Sequence, residues 1–160
     1  MTATAHALIG ASIAARVSNP IIGIPLAIFS HFLADLIPHW DVGTNHREKT
    51  KTQLNIEASL DILLGFGLVF LIFQNQVNPI YLFSMVIAAQ LPDWLEAPTF
   101  LLNINIPPFS WVDWLGHKIQ SRLALPWGLV TQIVIVGIFL IFSVNFAQVK
   151  DTLIGLINLS

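Results

Sequence analysis

The strongest constraint on this chain is where its charges are missing. Positions 62–92, between Asp61 and Asp93, form 31 consecutive residues without Asp, Glu, Lys or Arg. Another 18 lie between Arg16 and Asp35, with His31 their one ionisable group, and 27 more lie between Arg122 and Lys150. A helix needs roughly 20 apolar residues to cross a bilayer core. A charge at its centre costs about 2.5–3.5 kcal/mol on insertion scales. Three such tracts in 160 residues imply several spans. Composition agrees: charged residues are 10% and hydrophobic residues 55%, with mean hydropathy +0.74. A soluble domain carries about 25% charged residues. Intrinsic disorder is excluded, and the net charge of −2 excludes a strongly basic nucleic-acid binder. The absence of cysteine excludes disulfide scaffolds, cysteine nucleophiles and Cys-type zinc fingers.

The expected fold is all-α: one membrane-embedded domain over 1–160, a bundle of about five helices. The first runs from Thr4 to Val17, short for a span, and Ser18-Asn19-Pro20 closes it with a turn signal. The second runs from Pro20, well placed at a helix start, to Ile37, because Pro38 disfavours helix just before it. The third covers Gln53 to Phe73. The fourth covers Pro79 to Gln90 and is expected to stop at Pro92. The fifth covers Pro126 to Phe146. Between the fourth and fifth, Leu91 to Leu125 reads as a long connection with short interfacial helices. Trp94, Trp111, Trp114 and Trp127 are its interface anchors. The tail after Ala147 suits a short amphipathic helix. Helix 1 lacks the basic n-region of a signal peptide. Ile37-Pro38-His39-Trp40-Asp41 echoes Leu91-Pro92-Asp93-Trp94-Leu95, a weak hint of related halves. Arg47, Lys49 and Lys51, with Lys118 and Arg122, put the 38–52 and 91–125 connections on the cytoplasmic side; Arg16 and Lys150 are exceptions.

Alternating spans bring the ionisable residues to one face. His6 begins the first helix. His31, Asp35, His39 and Asp41 end the second. Glu57 and Asp61 lie in the first turns of the third, Asp93 and Glu96 follow the fourth, and His117 precedes the fifth. His46 falls in the same layer as a solvated or headgroup-level residue. His31 and Asp35 are four apart, as are Glu57 and Asp61, so each pair shares a helix face. Two carboxylates at that spacing repel each other and are costly to desolvate, unless a cation lies between them or one is protonated. Imidazole with carboxylate suits zinc, manganese or iron. A site without cysteine fits a catalytic zinc better than a structural one. No Gly-x-Ser-x-Gly elbow or phosphate-binding glycine loop is present. Ser30 lies on a different helix face from His31, which weakens a Ser–His nucleophile.

The run His31-Phe-Leu-Ala-Asp35-Leu-Ile-Pro38-His39-Trp-Asp41, with the opening Thr4-Ala-His6-Ala-Leu-Ile-Gly10, resembles the small bacterial membrane-bound metal-dependent hydrolases. Their use of His-x-x-x-Asp on a helix is similar to that of zinc-dependent phospholipase C. The resemblance covers roughly Met1 to Asp61. It implies that His6, His31 and Asp35 are metal ligands, with His39 and Glu57 or Asp61 completing the site. Asp93 and His117 match by residue type. Of the family's His-Arg-x-x-Thr-His pattern, His46, Arg47 and Thr50 are present, and Lys51 stands in place of the second histidine.

The resulting expectation is a hydrolase of the bacterial inner (cell) membrane, with its site at the cytoplasmic face. It uses a divalent metal, zinc first, with manganese or iron as alternatives. The expected ligands are His6, His31, Asp35, His39, Asp93 and His117, and Glu57 or Asp61 is the general base, since a partly desolvated carboxylate has a raised pKa. Its partners are membrane lipid and a lipid or phosphoester substrate, with no nucleic acid. The competing expectation is a non-enzymatic ion or proton pathway, or a metal-binding membrane protein. A pathway needs polar residues through the membrane depth, whereas a surface site needs them at one end.

Overall fold

In the computed structural model, residues 1–157 are described, with backbone only at His46, Phe100 and Leu101. Among the described residues there are seven α-helices and no strand. They are α1 (Ala3–Arg16), α2 (Pro20–Asp35), α3 (Lys51–Phe73), α4 (Pro79–Leu102), α5 (Phe109–Ile119), α6 (Trp127–Ser143) and α7 (Phe146–Ile157).

Helix α1 is the centre of the bundle. It packs against α2, α3, α4 and α6, and ten of its residues, Ala5 to Ala14, are buried. Its small side chains make this possible. A Cβ on Gly10 would lie 2.7 Å from Ala89 Cβ and 2.8 Å from the Met85 carbonyl oxygen, so only glycine lets α4 approach this closely. Asp61 caps the N-terminus of α1: the amides of Ala3 and Thr4 donate to its carboxylate at 2.6 and 3.1 Å. At the far end, the Tyr81 hydroxyl donates to the Val17 carbonyl at 2.5 Å. Helices α1 and α4 are therefore antiparallel, and His6 lies at the level of the α4 residues just past Ala89.

The starts of α2 and α3 follow their caps. The Asn19 side chain accepts from the Ile21 amide ahead of Pro20. Thr50 and Gln53 form a capping box. The bundle departs from the sequence expectation at α4. This helix does not stop at Pro92 but continues through Pro92 and Pro98 to Leu102. A proline inside a helix removes one amide hydrogen bond and crowds the preceding turn. Here Pro92 is buried, and the extension past it packs against α5, which offsets the loss. Asn103, in the left-handed region at φ 56°, ends the helix. The count is thus seven helices rather than five, and one helix of 11 residues, α5, fills the connection that was expected to hold several.

Among the described residues one helix, α3, is long and apolar enough by itself to cross a membrane. Helices α6 and α7 pass the same test only as a pair, bent by 95°. The outer faces are apolar nonetheless. Ile21 and Ile22 on α2, Leu60 and Leu63 on α3, and Ile133, Ile141 and Phe142 on α6 are all exposed. So are Trp94, Trp111, Trp114 and Trp127.

Candidate metal centre

Three imidazoles converge on one carboxylate where α1 begins and α2 finishes, beside the middle of α3 and α4. His6 comes from α1, His31 and Asp35 from α2, and His39 from the turn after α2. All four are buried. His6 Nε2 lies 3.3 Å from Asp35 Oδ1. His31 Nε2 lies 3.4 Å from Asp35 Oδ2 and 3.4 Å from Asp93 Oδ1. His39 Nε2 is 3.6 Å from Asp35 Oδ1. The rings of His6 and His31 stack, with centroids 3.8 Å apart. The Met1 α-amino group bonds Asp35 Oδ1.

The second nitrogen of two of these rings decides what Nε2 can do. His31 Nδ1 is 2.8 Å from the Ala89 carbonyl oxygen, and His39 Nδ1 is 2.7 Å from that of Ile37. A carbonyl only accepts, so both Nδ1 atoms carry the proton. In a neutral ring Nε2 is then a lone pair. A lone pair facing a carboxylate oxygen is repulsive unless the ring is protonated or a cation lies between them. Accordingly, His39 Nε2 makes no aligned hydrogen bond despite this short distance, and His6 Nε2 makes none either.

The separations suit a cation. Zinc bonds to imidazole nitrogen and carboxylate oxygen are roughly 2.0–2.1 Å, so two ligand atoms of a tetrahedral site stand about 3.3–3.4 Å apart. The distances from His6 and His31 to their carboxylates fall in that range. His6, His31 and Asp93 each offer an atom within 4.8 Å of the others and could hold a metal ion. Backbone bonds from the His31 and His39 rings to carbonyls fix tautomer and orientation, as the outer partners of metal-bound histidines do.

A loop segment holds His39 in place. The His39 amide donates to the Ser121 carbonyl at 2.9 Å, the Leu123 amide to the His39 carbonyl at 2.7 Å, and the Ser121 amide to the Asp35 carbonyl at 2.9 Å. Asp41 ties the same segment down. Its carboxylate accepts from Thr44 at 2.8 Å, from Gln120 at 2.7 Å and from Arg122 Nε at 3.0 Å. Gly128 permits the close fit, since a Cβ there would lie 2.1 Å from the Leu123 carbonyl oxygen. Burial pushes the His39 imidazole below its ordinary pKa, which keeps its Nε2 a lone pair.

The other expected site residues have different surroundings. Glu57 pairs with Lys49 at 2.6 Å, with its side chain 41% exposed. Asp61 is taken up by the α1 amides. The spacing of these two carboxylates gives each a separate cation or donor set rather than one shared ion. His117 is exposed on α5, its Nδ1 2.9 Å from the Asp113 carbonyl oxygen. It shares a cavity of about 280 Å³ with Asp93, Glu96, Asp113 and Arg122. Burial, then the charge of Asp93, pushes Glu96 in that cavity up to about 8. The His46 side chain lies outside the described residues. Sequence reasoning missed Gln90. It is fully buried on α4 and neither atom of its carboxamide has a partner; its position among apolar neighbours carries no local signal.

Compared with protein-family models, curated proteins and solved structures, the chain matches none.

Proposed function

We propose that this chain is a membrane-bound, metal-dependent hydrolase acting on a lipid or phosphoester at the membrane interface. The observation that carries the reading is the set of imidazole Nε2 atoms facing the Asp35 and Asp93 carboxylates at the spacing of metal ligands. His6, His31, Asp35 and Asp93 would hold the ion, with His39 beside them. Zinc is favoured by the nitrogen and oxygen donors and the absence of thiolates. A zinc ion bound there would lower the pKa of a coordinated water toward about 7.

Membrane residence is supported by the apolar outer faces of α2, α3 and α6 and by α3, whose length suits a bilayer core. The exposed tryptophans of α4, α5 and the start of α6 are the residue type that anchors at headgroup level. A cavity with both apolar and charged lining beside the cluster favours chemistry on a lipid headgroup or a phosphoester.

The test is metal content by mass spectrometry on detergent-purified protein, beside a His31→Ala, Asp35→Ala double variant. Near-stoichiometric zinc or manganese that disappears in the variant supports the reading and directs a screen of phosphoester and lipid substrates. No metal in either protein, with chelators kept out throughout, overturns it and makes Asp35 the centre of a hydrogen-bonded network.

A further inference from the structure

The cavity beside the cluster has two unlike walls. One is apolar: Val42 from the turn, Leu54 and Ala58 of α3, and Ala97 of α4. The other is charged: Asp93 and Glu96 of α4, Asp113 and His117 of α5, and Arg122. Helices α3 and α4 both pack on α1 but touch each other little. Phe66 and Phe83 meet with ring centroids 5.5 Å apart, and toward the site end the cavity lies between the two helices. On the α3 side it is lined by Leu54, Asn55 and Ala58. An occupant with an apolar chain and a polar end matches the two walls.

The charged wall is short of positive charge. Arg122 is bound through Nε to Asp41, and the His117 ring rests on Asp113, 3.5 Å from its carboxylate. With Asp93 beside His31, the other carboxylates that line the cavity are Glu96 and Asp113, the latter beside the His117 ring. The fold makes room for Glu96 there: a Cβ on Gly116 would lie 1.9 Å from Glu96 Oε1, so α5 carries glycine where that carboxylate lies. The raised pKa of Glu96 has the same origin, burial beside Asp93 and Asp113. A cation placed between Glu96 and Asp113 would favour the ionised form of Glu96. Arg122, on the same wall, offers the opposite charge.

We propose that this cavity binds a single zwitterionic membrane lipid, drawn in between α3 and α4, with its ammonium group held by Glu96 and Asp113 and its chain along Leu54, Ala58 and Ala97. The inference rests on the membrane-interface reading and names the headgroup class for the neighbouring cluster. The bilayer is the source because the cavity pairs its charged wall with an apolar one, Leu54, Ala58 and Ala97, which a free amine would not use.

The experiment is native mass spectrometry of the full chain released from vesicles of phosphatidylethanolamine and phosphatidylglycerol, mixed equally and matched in acyl chains. Zinc content is read on the same samples. One phosphatidylethanolamine per chain is expected, retained at least fivefold over phosphatidylglycerol and not displaced by excess free ethanolamine. Glu96→Gln with Asp113→Asn should erase the preference. Ala58→Trp should erase retention of either lipid, with circular dichroism and thermal melting reporting that each variant is folded. Ala97→Trp closes the same cavity from α4, should Ala58→Trp fail to fold. Equal retention of both lipids by the wild type, a preference for phosphatidylglycerol, displacement by ethanolamine alone, or undiminished retention in a folded tryptophan variant would each overturn the proposal. Zinc bound without lipid sinks this inference alone. Lipid bound without zinc sinks the metal reading and leaves the cavity assignment standing.

Discussion

His31 Nδ1 donates to the Ala89 carbonyl oxygen at 2.8 Å, which ties the imidazole of α2 to the backbone of α4. One bond does two things. It keeps the proton on Nδ1, so that Nε2 is the lone pair whenever the ring is neutral, and it sets that nitrogen 3.4 Å from both Asp35 and Asp93. Replacing His31 with Phe keeps a ring to stack on His6 and removes both nitrogens. Zinc affinity should fall by at least 100-fold while helical content stays the same. His39→Phe, whose ring stands farther off at 3.6 Å, should cost about 10–100-fold, the range for residues that support a metal site from outside. Titration of chelator-stripped protein with zinc checks both. Equal affinity in His31→Phe and wild type would remove His31 from the ligand set.

Asp61 and Glu57 share a helix face, but only Asp61 holds another element. Asp61→Ala leaves the Ala3 and Thr4 amides without their acceptor. Loss of a cap costs about 0.5–2 kcal/mol, or a Tm drop of about 1–8 °C for a chain of this size. Glu57→Gln breaks a partly exposed ion pair with Lys49, for which about 0–1 kcal/mol is expected. Thermal melting should separate the two variants, and zinc content should be unchanged in Glu57→Gln. A Glu57→Gln protein that melts normally, keeps its zinc and loses hydrolysis would return Glu57 to the chemistry.

The local signals were sufficient where structure is set locally. Asn19-Pro20 and Pro38 are caps or breaks that act within one turn, and α1 and α2 begin and end within two residues of where those signals place them. The four-residue spacing of His31 and Asp35 likewise carried through to a shared cluster. Glu57 and Asp61 have the same spacing, yet their partners are Lys49 and the start of α1, and neither partner can be read from the helix itself. Pro92 is a helix breaker by local rules, and α4 passes through it because the helix beyond it packs against α5. The bridge between His39 and Arg122 joins residues 83 positions apart and has no sequence signature.

Gly10 sets the distance between the helices that supply His6 and Asp93. Gly10→Ala places a Cβ 2.7 Å from Ala89 Cβ and 2.8 Å from the Met85 carbonyl oxygen. Backbone oxygen cannot swing aside, so α4 must move. Overpacking of this kind costs about 1–3 kcal/mol. Because Ala89 also carries the acceptor for His31, the shift should weaken zinc binding as well as lower Tm. Gly137→Ala is the control, since a Cβ there meets nothing within 4 Å. It should leave Tm and zinc affinity where they are. A Gly10→Ala protein with wild-type zinc affinity would mean that α1 and α4 can separate without disturbing the cluster.

Glu96 predicts how stability changes with pH. Burial beside Asp93 holds its carboxyl at about 8 in the folded chain, against an ordinary value of 4.5. The folded state therefore keeps a proton that the unfolded state has already released between those two values. Stability falls with rising pH wherever the folded state binds more protons. The Glu96 contribution should be fully favourable below about pH 4.5, decline up to about pH 8 and then level off. Glu96→Gln removes the ionisation and keeps the shape. With chelator present, so that no ion changes the charge at Asp93, the Tm of the variant should pull ahead of wild type as pH rises from 5 to 8, by several degrees, and the difference should stay constant from 8 to 9. Parallel Tm curves across that whole range would mean that Glu96 titrates near its ordinary value, with solvent or a cation at its carboxylate.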